Sequence, residues 1–472
     1  MLKKGFDLRA TVEILNLEER IPKDHLLRKI DRVADFEHIY DLVWDKYSAD
    51  KGRKSVDPVV LFKIVLIQHL YGIPSLRQTM REIDMNMAYR WFLGYNFSEE
   101  IPHFATVSYA FCKRYDSAIA EEVFQWILYE AEKEGLLEPE VVFVDATHIK
   151  ANANLKKRCK KAIPAAARVY DEQLRAEINA DREAHGKKPF DDDDDGDGGK
   201  TATKEITVST TDPEAGLFHK GEHKQCFAYG AHTVCDRNNF ILAVEVTPGN
   251  VHDSVVFDTL YEQITGRFPQ ARTFTMDAGY KTPWIAKKLF DDERIPCFPY
   301  KRPQTMKEGH PWYEYVYDEF YNQIICPEYK TLHYATTNRD GYREYKSRPY
   351  ICVSCPTRHK CTHSKSCVKT VNRHIWQDYL ERSEDIRLSP SGKAIYELRK
   401  ETIERVFADA KEKHGMRYTN HRGLARLTNW VRLKFAAMNL KKLAMWRWTH
   451  RCFRFCYLLF PCFYVKRTFS LE

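Results

Sequence analysis

Three acidic residues stand out for what surrounds them. Asp145 closes the run Glu140-Val-Val-Phe-Val, and Asp277 closes Arg272-Thr-Phe-Thr-Met. Both runs fit short buried strands that deliver a carboxylate to an edge. Glu404 lies in a strongly helical segment from about Ser391 to Lys442. Carboxylates brought together from separate elements suit magnesium, which takes oxygen ligands and keeps several waters. Two such ions about 3.5 to 4 Å apart activate an oxygen nucleophile and stabilise the charge that builds on a pentavalent phosphate. Taken singly, an aspartate at a strand end is more often a helix cap or loop residue.

A second set is made of sulfur. Cys352-Val-Ser-Cys355 has the two-residue spacing that puts two thiolates on one tetrahedral ion. Cys326, in a Cys-Pro pair, and Cys361 complete a set of four, with His359, His363 and Cys367 as alternates. Zinc accepts thiolate and imidazole alike, and a closed site of four ligands is structural because no position is left for water. The competing reading is free thiols buried in a small subdomain. Cys452, Cys456 and Cys462 read as interface or core residues.

The elements that must hold the acids follow from periodicity. From Asp7 to about Arg114 the pattern is helical, with Asp57-Pro58 starting a helix through Val59 to Leu70 and Pro74-Ser75 starting another. Further helices are expected over Met85–Leu93 and Thr106–Tyr115. Their basic residues Arg77, Arg81, Arg90, Lys113 and Arg114 suit phosphates, and Tyr89, Trp91 and Tyr95 suit packing or stacking; an ordinary amphipathic bundle gives the same pattern. After Asp145 come Phe227–Cys235 and Phe240–Val246, a hairpin turning at Asp236-Arg-Asn-Asn239. Helices over Ser254–Gly266 and Pro283–Phe290 flank the strand that ends at Asp277. Thr247-Pro-Gly-Asn-Val-His252-Asp253 reads as a turn with Asp253 capping the helix at Ser254, the alternative being that His252 or Asp253 orients DNA or a metal ligand.

With this order in hand, Phe143-Val-Asp145-Ala-Thr-His, Met276-Asp277-Ala-Gly-Tyr and Glu401-Thr-Ile-Glu404-Arg-Val-Phe resemble the three catalytic blocks of bacterial insertion-sequence DDE transposases. The resemblance covers nearly the whole chain, with an insertion from Leu155 to Lys200. It implies an α/β fold: a ribonuclease-H-like mixed sheet flanked by helices, with an all-α N-terminal domain and a small Cys-rich insertion. It implies Asp145, Asp277 and Glu404 as catalytic residues holding two Mg2+ or Mn2+ ions. Glu404 is preferred to Glu401, three residues earlier on the helix, because Arg-Val-Phe follows it. The basic continuation Arg405, Lys411, Arg417 and Arg422 would meet the DNA backbone near the site.

The expected division is a helical DNA-binding domain over 1–135, a catalytic core over 136–300 and 385–445, a flexible acidic arm over 155–205, a Cys-rich insertion with structural zinc over 301–384, and a tail over 446–472. A net charge of +8 is modest, and Asp191 to Asp195 with Asp197 mask a more basic remainder. The N-terminus lacks an apolar core of signal-peptide length, and Phe455–Val465 falls short of the roughly 20 residues that span a bilayer. A reducing cytoplasmic setting on the bacterial nucleoid is expected, with double-stranded DNA (terminal inverted repeats and target) as partner, at least a homodimer in synapsis, and no membrane. The function implied is cleavage and strand transfer. A nuclease without strand transfer and a catalytically inert zinc-containing DNA-binding protein are the alternatives.

Overall fold

The structure, a computed structural model, describes residues 14–48, 55–164, 170–190, 203–220, 224–302 and 309–459. Its larger sheet comprises β1 (Val141–Lys150), β2 (Arg158–Pro164), β3 (Thr203–Ser209), β4 (Gly216–Lys220), β5 (Lys224–Cys235), β6 (Ile241–Pro248), β7 (Thr273–Met276) and β8 (Ile295–Cys297). The strand β1 is its axis. Val142, Phe143 and Val144 are fully buried, as a run apolar on both faces requires. One edge of β1 runs antiparallel to β5, with Asp145 opposite Thr233; the other runs parallel to β7, with Val144 level with Met276. Beyond these, β6 pairs antiparallel with β5 and β8 pairs parallel with β7. The hairpin β5–β6 turns where expected. Asn239 there has φ 64°, and the Asp236 carboxylate accepts from the Phe240 and Glu138 amides at 2.7 and 2.9 Å.

Asp145 is not at a strand end, as the sequence suggested, but in mid-strand: pairing with β5 continues to Lys150 opposite Ala228. What ends near Asp145 is the neighbouring strand, because β7 stops at Met276. The edge that β7 leaves is used again only at Lys150, whose amide donates to the Arg417 carbonyl and whose carbonyl accepts from the Thr419 amide, both at 3.1 Å. An opening in the ladder therefore separates Asp145 from the basic 417–422 loop.

The N-terminal region is helical as expected: α1 (Leu17–Arg20), α2 (Leu26–Asp31), α3 (His38–Val43), α4 (Pro58–Leu70), α5 (Leu76–Met85), α6 (Met87–Leu93), α7 (Phe104–Tyr109) and α8 (Ser117–Lys133). Asp57, Ser75, Asn86 and Asp116 cap α4, α5, α6 and α8 through side chains that accept backbone N–H groups. In the insertion, expected as a flexible arm, the described parts are ordered: β2 and β3 form a seven-residue ladder, and α9 (Asp171–Ala184) follows β2. The acidic run 191–200 lies outside the described residues.

Helices α10 (Asp253–Arg267) and α11 (Pro283–Asp291) flank the larger sheet. A second, antiparallel sheet follows, of β9 (Val316–Asp318), β10 (Gln323–Ile325), β11 (Thr331–Thr337), β12 (Tyr342–Lys346) and β13 (Thr370–His374), around Ile324, Leu332, Tyr345 and Val371. Short helices α12 (Pro349–Val353) and α13 (Arg358–Cys361) interrupt it. Helix α9 is tied to this sheet: Arg182 donates to the Thr336 hydroxyl and Thr337 carbonyl at 2.9 and 2.7 Å, and Asp181 pairs with Arg343 at 2.6 Å.

The segment expected as strongly helical to Lys442 comprises α15 (Pro390–Glu397), a 3-10 turn over 398–400, α16 (Ile403–Glu412) and α17 (Leu424–Leu459), preceded by α14 (Gln377–Leu388). Gly415 and Gly423, at φ 65° and 87°, make the turns between α16 and α17. Helix α17 packs on α2, α4 and α8 on one side and on β6 on the other, so a single hydrophobic core runs from Leu27 through Phe435 to Phe274. Among the described residues, no helix is long and apolar enough to cross a membrane.

The N-terminal helices meet the 413–423 loop at very close range. A Cβ on Gly72 (φ 63°) would lie 2.9 Å from the Lys413 carbonyl oxygen, and one on Gly415 would lie 3.0 Å from that of Gly72. Gly415→Ala is therefore expected to cost about 1–3 kcal/mol, read as an earlier thermal transition; an unchanged transition would show that the two backbones separate freely. Beside this contact, burial pushes His414 down to about 4, as it does His421, while His414 Nδ1 donates to the His69 carbonyl at 2.8 Å. An unfolded chain protonates these histidines as pH falls through about 6.5, whereas the folded chain resists until about 4. Their contribution is thus complete above about 6.5 and declines as pH falls toward 4. Asp236, raised to about 6 by burial, acts in the opposite sense. His414→Gln should lose less stability than the parent between these pH values in urea titrations, and parallel losses would refute the assignment.

Candidate active site

The parallel register sets Asp145 and Asp277 side by side, each one residue past the last paired positions Val144 and Met276. Asp145 Oδ1 accepts from its neighbour Ala146 N at 2.8 Å, and Oδ2 accepts from Arg399 Nη2 at 2.7 Å. Arg399 is buried, and its Nη1 donates to the carbonyls of Val144 (3.1 Å) and Thr275 (3.4 Å). One guanidinium thus bridges β1, β7 and the first acid. Burial pushes the Asp145 carboxyl up to about 6; Arg399 pulls it down, and the charges of Asp277 and Asp253 push it up again.

Asp277 Oδ1 accepts from Gly279 N at 2.9 Å. A Cβ on Gly279 would lie 3.1 Å from that same oxygen and 2.8 Å from Asp253 Oδ2. Asp253 is not the helix cap that its sequence position suggested. His252 takes that part, its ring accepting from Ser254 N at 3.3 Å, and this frees the Asp253 carboxylate to turn toward Asp277. Its Oδ1 is 3.5 Å from Nδ1 of His232, a buried ring whose Nε2 meets the Thr247 hydroxyl at 2.9 Å. The buried Tyr280 hydroxyl lies 3.5 Å from the same Nδ1. Burial pushes Asp253 up to about 6, with Asp277 adding to the effect, and holds His232 down at about 4, hence neutral at pH 7.

Glu404 sits exposed in the first turn of α16, the helix packed against β1, and among the described residues no hydrogen bond or ion pair joins it to either aspartate. Glu401 precedes the helix, at the end of the 3-10 turn, so the two glutamates do not share a helical face. Among the described residues no group of three or more His, Cys, Asp or Glu is gathered tightly enough to hold a metal ion. The donor set nevertheless suits a hard cation. Three carboxylates are within electrostatic reach, and the missing side chain of Gly279 leaves space between two of them.

The basic residues fall into separate places. Arg77, Arg81 and Lys113 are exposed on the N-terminal helices, Arg77 stacked 4.5 Å from the Phe104 ring and Arg114 4.4 Å from Tyr47. Arg90, grouped with them from sequence, is instead buried and donates to the carbonyls of Asp84, Asn96 and Glu99. Trp91 is covered by Arg28 at 4.5 Å and Tyr89 is buried, so these two rings serve packing. Exposed Arg417 pairs with Glu412, and Arg422 Nε donates to the Asn152 carbonyl at 3.1 Å, fixing both on the loop beside the end of β1. Arg405 lines a cavity with Asp409, Lys413 and Lys442 by the β5–β6 turn, and Lys411 is half-buried on the same helix.

Cys326, Cys352, Cys355 and Cys361 line one small enclosed cavity under the second sheet; His359 and His363 are exposed, and Cys367 lies off the cavity. Sequence reasoning missed His310, which lines the same cavity. Its Nδ1 is 2.7 Å from a Glu314 carboxylate oxygen, and its Nε2 is buried with no hydrogen-bond partner among the described residues. A carboxylate on one ring nitrogen and a free lone pair on the other is the arrangement of a metal-ligating histidine. Only the two-residue Cys spacing was a visible signal there; His310 lies 16 residues before Cys326 with no motif to mark it.

Residues 15–113 match the family model Transposase domain (DUF772), and residues 325–444 match the family model Transposase DDE domain. The first covers helices α1 to α7; the second runs from Cys326 past Arg399 and Glu404 into α17. No curated protein and no solved structure matches the chain.

Arg399 is the group at this site whose loss the fold should feel most. Arg399→Ala removes the only cation that pairs with Asp145 among the described residues and strands two buried carbonyls, so a loss of about 3–5 kcal/mol is expected. Arg399→Lys, a point charge that cannot reach three acceptors, should recover little of it in chemical denaturation; full recovery would show that charge alone matters.

Proposed function

We propose that this chain, an insertion-sequence DDE transposase by its two matched domains, binds the ends of its element and catalyses metal-dependent DNA cleavage and strand transfer at Asp145, Asp277 and Glu404. The observation that carries the reading is the pairing of Asp145 and Asp277 at the open end of the parallel β1–β7 ladder. The strand order β6–β5–β1–β7–β8, antiparallel on the first side and parallel on the second, supports a ribonuclease-H-like core.

Two Mg2+ or Mn2+ ions, when bound, would activate water and then a 3′ hydroxyl and offset charge on the phosphate. Asp145 and Asp277 would hold them, with Arg399 fixing the Asp145 carboxylate. Glu404, at the head of the helix that packs on β1, is the third acid on its likeness to the Glu-Arg-Val-Phe block. Arg417 and Arg422, on the loop that rejoins β1 at Lys150, would steer the DNA backbone along the opening, and Arg405 and Lys411 on α16 would meet it elsewhere. Arg77, Arg81, Lys113 and Arg114 on the N-terminal helices would grip the terminal repeats. Synapsis of two ends requires at least a homodimer, and the setting is the bacterial nucleoid.

Cys326, Cys352, Cys355 and Cys361 would hold a structural zinc ion. The cavity they share with His310, whose buried Nε2 has no hydrogen-bond partner among the described residues, supports a cation there.

The function is tested with a DNA fragment carrying the element's own ends and Mg2+. Asp145→Ala, Asp277→Ala and Glu404→Ala should each lower cleavage and joining by about a hundredfold or more while end binding survives. Binding without any cut by the parent protein would favour an inert DNA-binding protein, cutting without joining a nuclease, and an active Glu404→Ala beside an inactive Glu401→Ala a different third acid. For zinc, elemental analysis should find about one ion per chain, lost in Cys352→Ser and in Cys355→Ser; parent protein free of zinc after native purification would end that assignment.

A further inference from the structure

Resting on the active-site reading above, we propose that Asp253 is a fourth carboxylate of this site and shares a divalent cation with Asp277. The geometry is set by Gly279. One point, where its Cβ would be, lies 2.8 Å from Asp253 Oδ2 and 3.1 Å from Asp277 Oδ1. The two oxygens are therefore within about 6 Å of each other, close enough for strong mutual repulsion, and the space between them is kept clear by a residue with no side chain.

Arg399 is committed to Asp145, and among the described residues no lysine or arginine pairs with Asp253. Its near neighbours are His232 and the Tyr280 hydroxyl, both deeply buried. His232 is itself fixed by the Thr247 hydroxyl at 2.9 Å, and a larger residue at Gly230 would press on its Nε2, 3.0 Å from that position. The Asp253 carboxylate thus lies beside a neutral ring, with no lysine or arginine paired to it among the described residues and no part in capping the helix, as a cation ligand would. The cap of α10 is made by His252 instead. A hard cation with oxygen ligands and retained waters fits two carboxylates that do not touch.

The test reads metal directly. Full-length protein without DNA is titrated with Mn2+, and free ion is followed by electron paramagnetic resonance for the parent, Asp253→Asn, Gly279→Ala and Asp277→Asn. Asp253→Asn should weaken Mn2+ binding by at least about tenfold, with circular dichroism and end-DNA binding in chelator unchanged. Gly279→Ala, which alters no charge but intrudes between the carboxylates, should weaken it in the same direction. If Asp277→Asn loses Mn2+ while Asp253→Asn and Gly279→Ala bind as the parent does, the fourth carboxylate is refuted and the active-site reading stands. If all three bind as the parent does, both fall.

Discussion

A single buried guanidinium holds the site region together. Arg399 reaches two backbone carbonyls on neighbouring parallel strands and one carboxylate between them. Thr275 lies one residue before the last position of β7, so the arginine ties the end of that strand to β1. Burying that cation would be costly alone, and burying Asp145 would be costly alone; together, with all acceptors in line, each compensates the other. The 3-10 turn over 398–400 exists to place it, and that turn in turn fixes where α16 begins and hence where Glu404 stands.

How much of this could be read from sequence depended on how local the cause was. Asp145 and Asp277 were legible because an apolar run ending in an acid is a contiguous pattern, and so were the capped helices α4 and α11 and the β5–β6 turn. Arg399 was not, since its partners are 254 and 124 residues away and nothing near it differs from any helical arginine. Arg90 was misjudged for the reverse reason: it sits among exposed basic residues, yet the Asp84 to Glu99 segment folds around it.

Asp253 shows a subtler failure. An aspartate at a helix start has a strong default meaning, and His252 one residue earlier is a less usual cap. Only the three-dimensional proximity of Gly279, after the next strand, separates the two roles. The helical segment expected through Lys442 is divided at two glycines whose positive φ is invisible to periodicity but decisive for the chain path.

Helix α17 carries one more implication. At 36 residues it extends about 54 Å at the usual rise, and its two sides are claimed by different parts of the chain, α2, α4 and α8 on one and β6 on the other. Neither part can reorient without sliding along a shared strut. If, as proposed, the N-terminal helices grip a DNA end, the spacing between the gripped sequence and the acids would be that of a fixed caliper, measured by the protein and not by a linker.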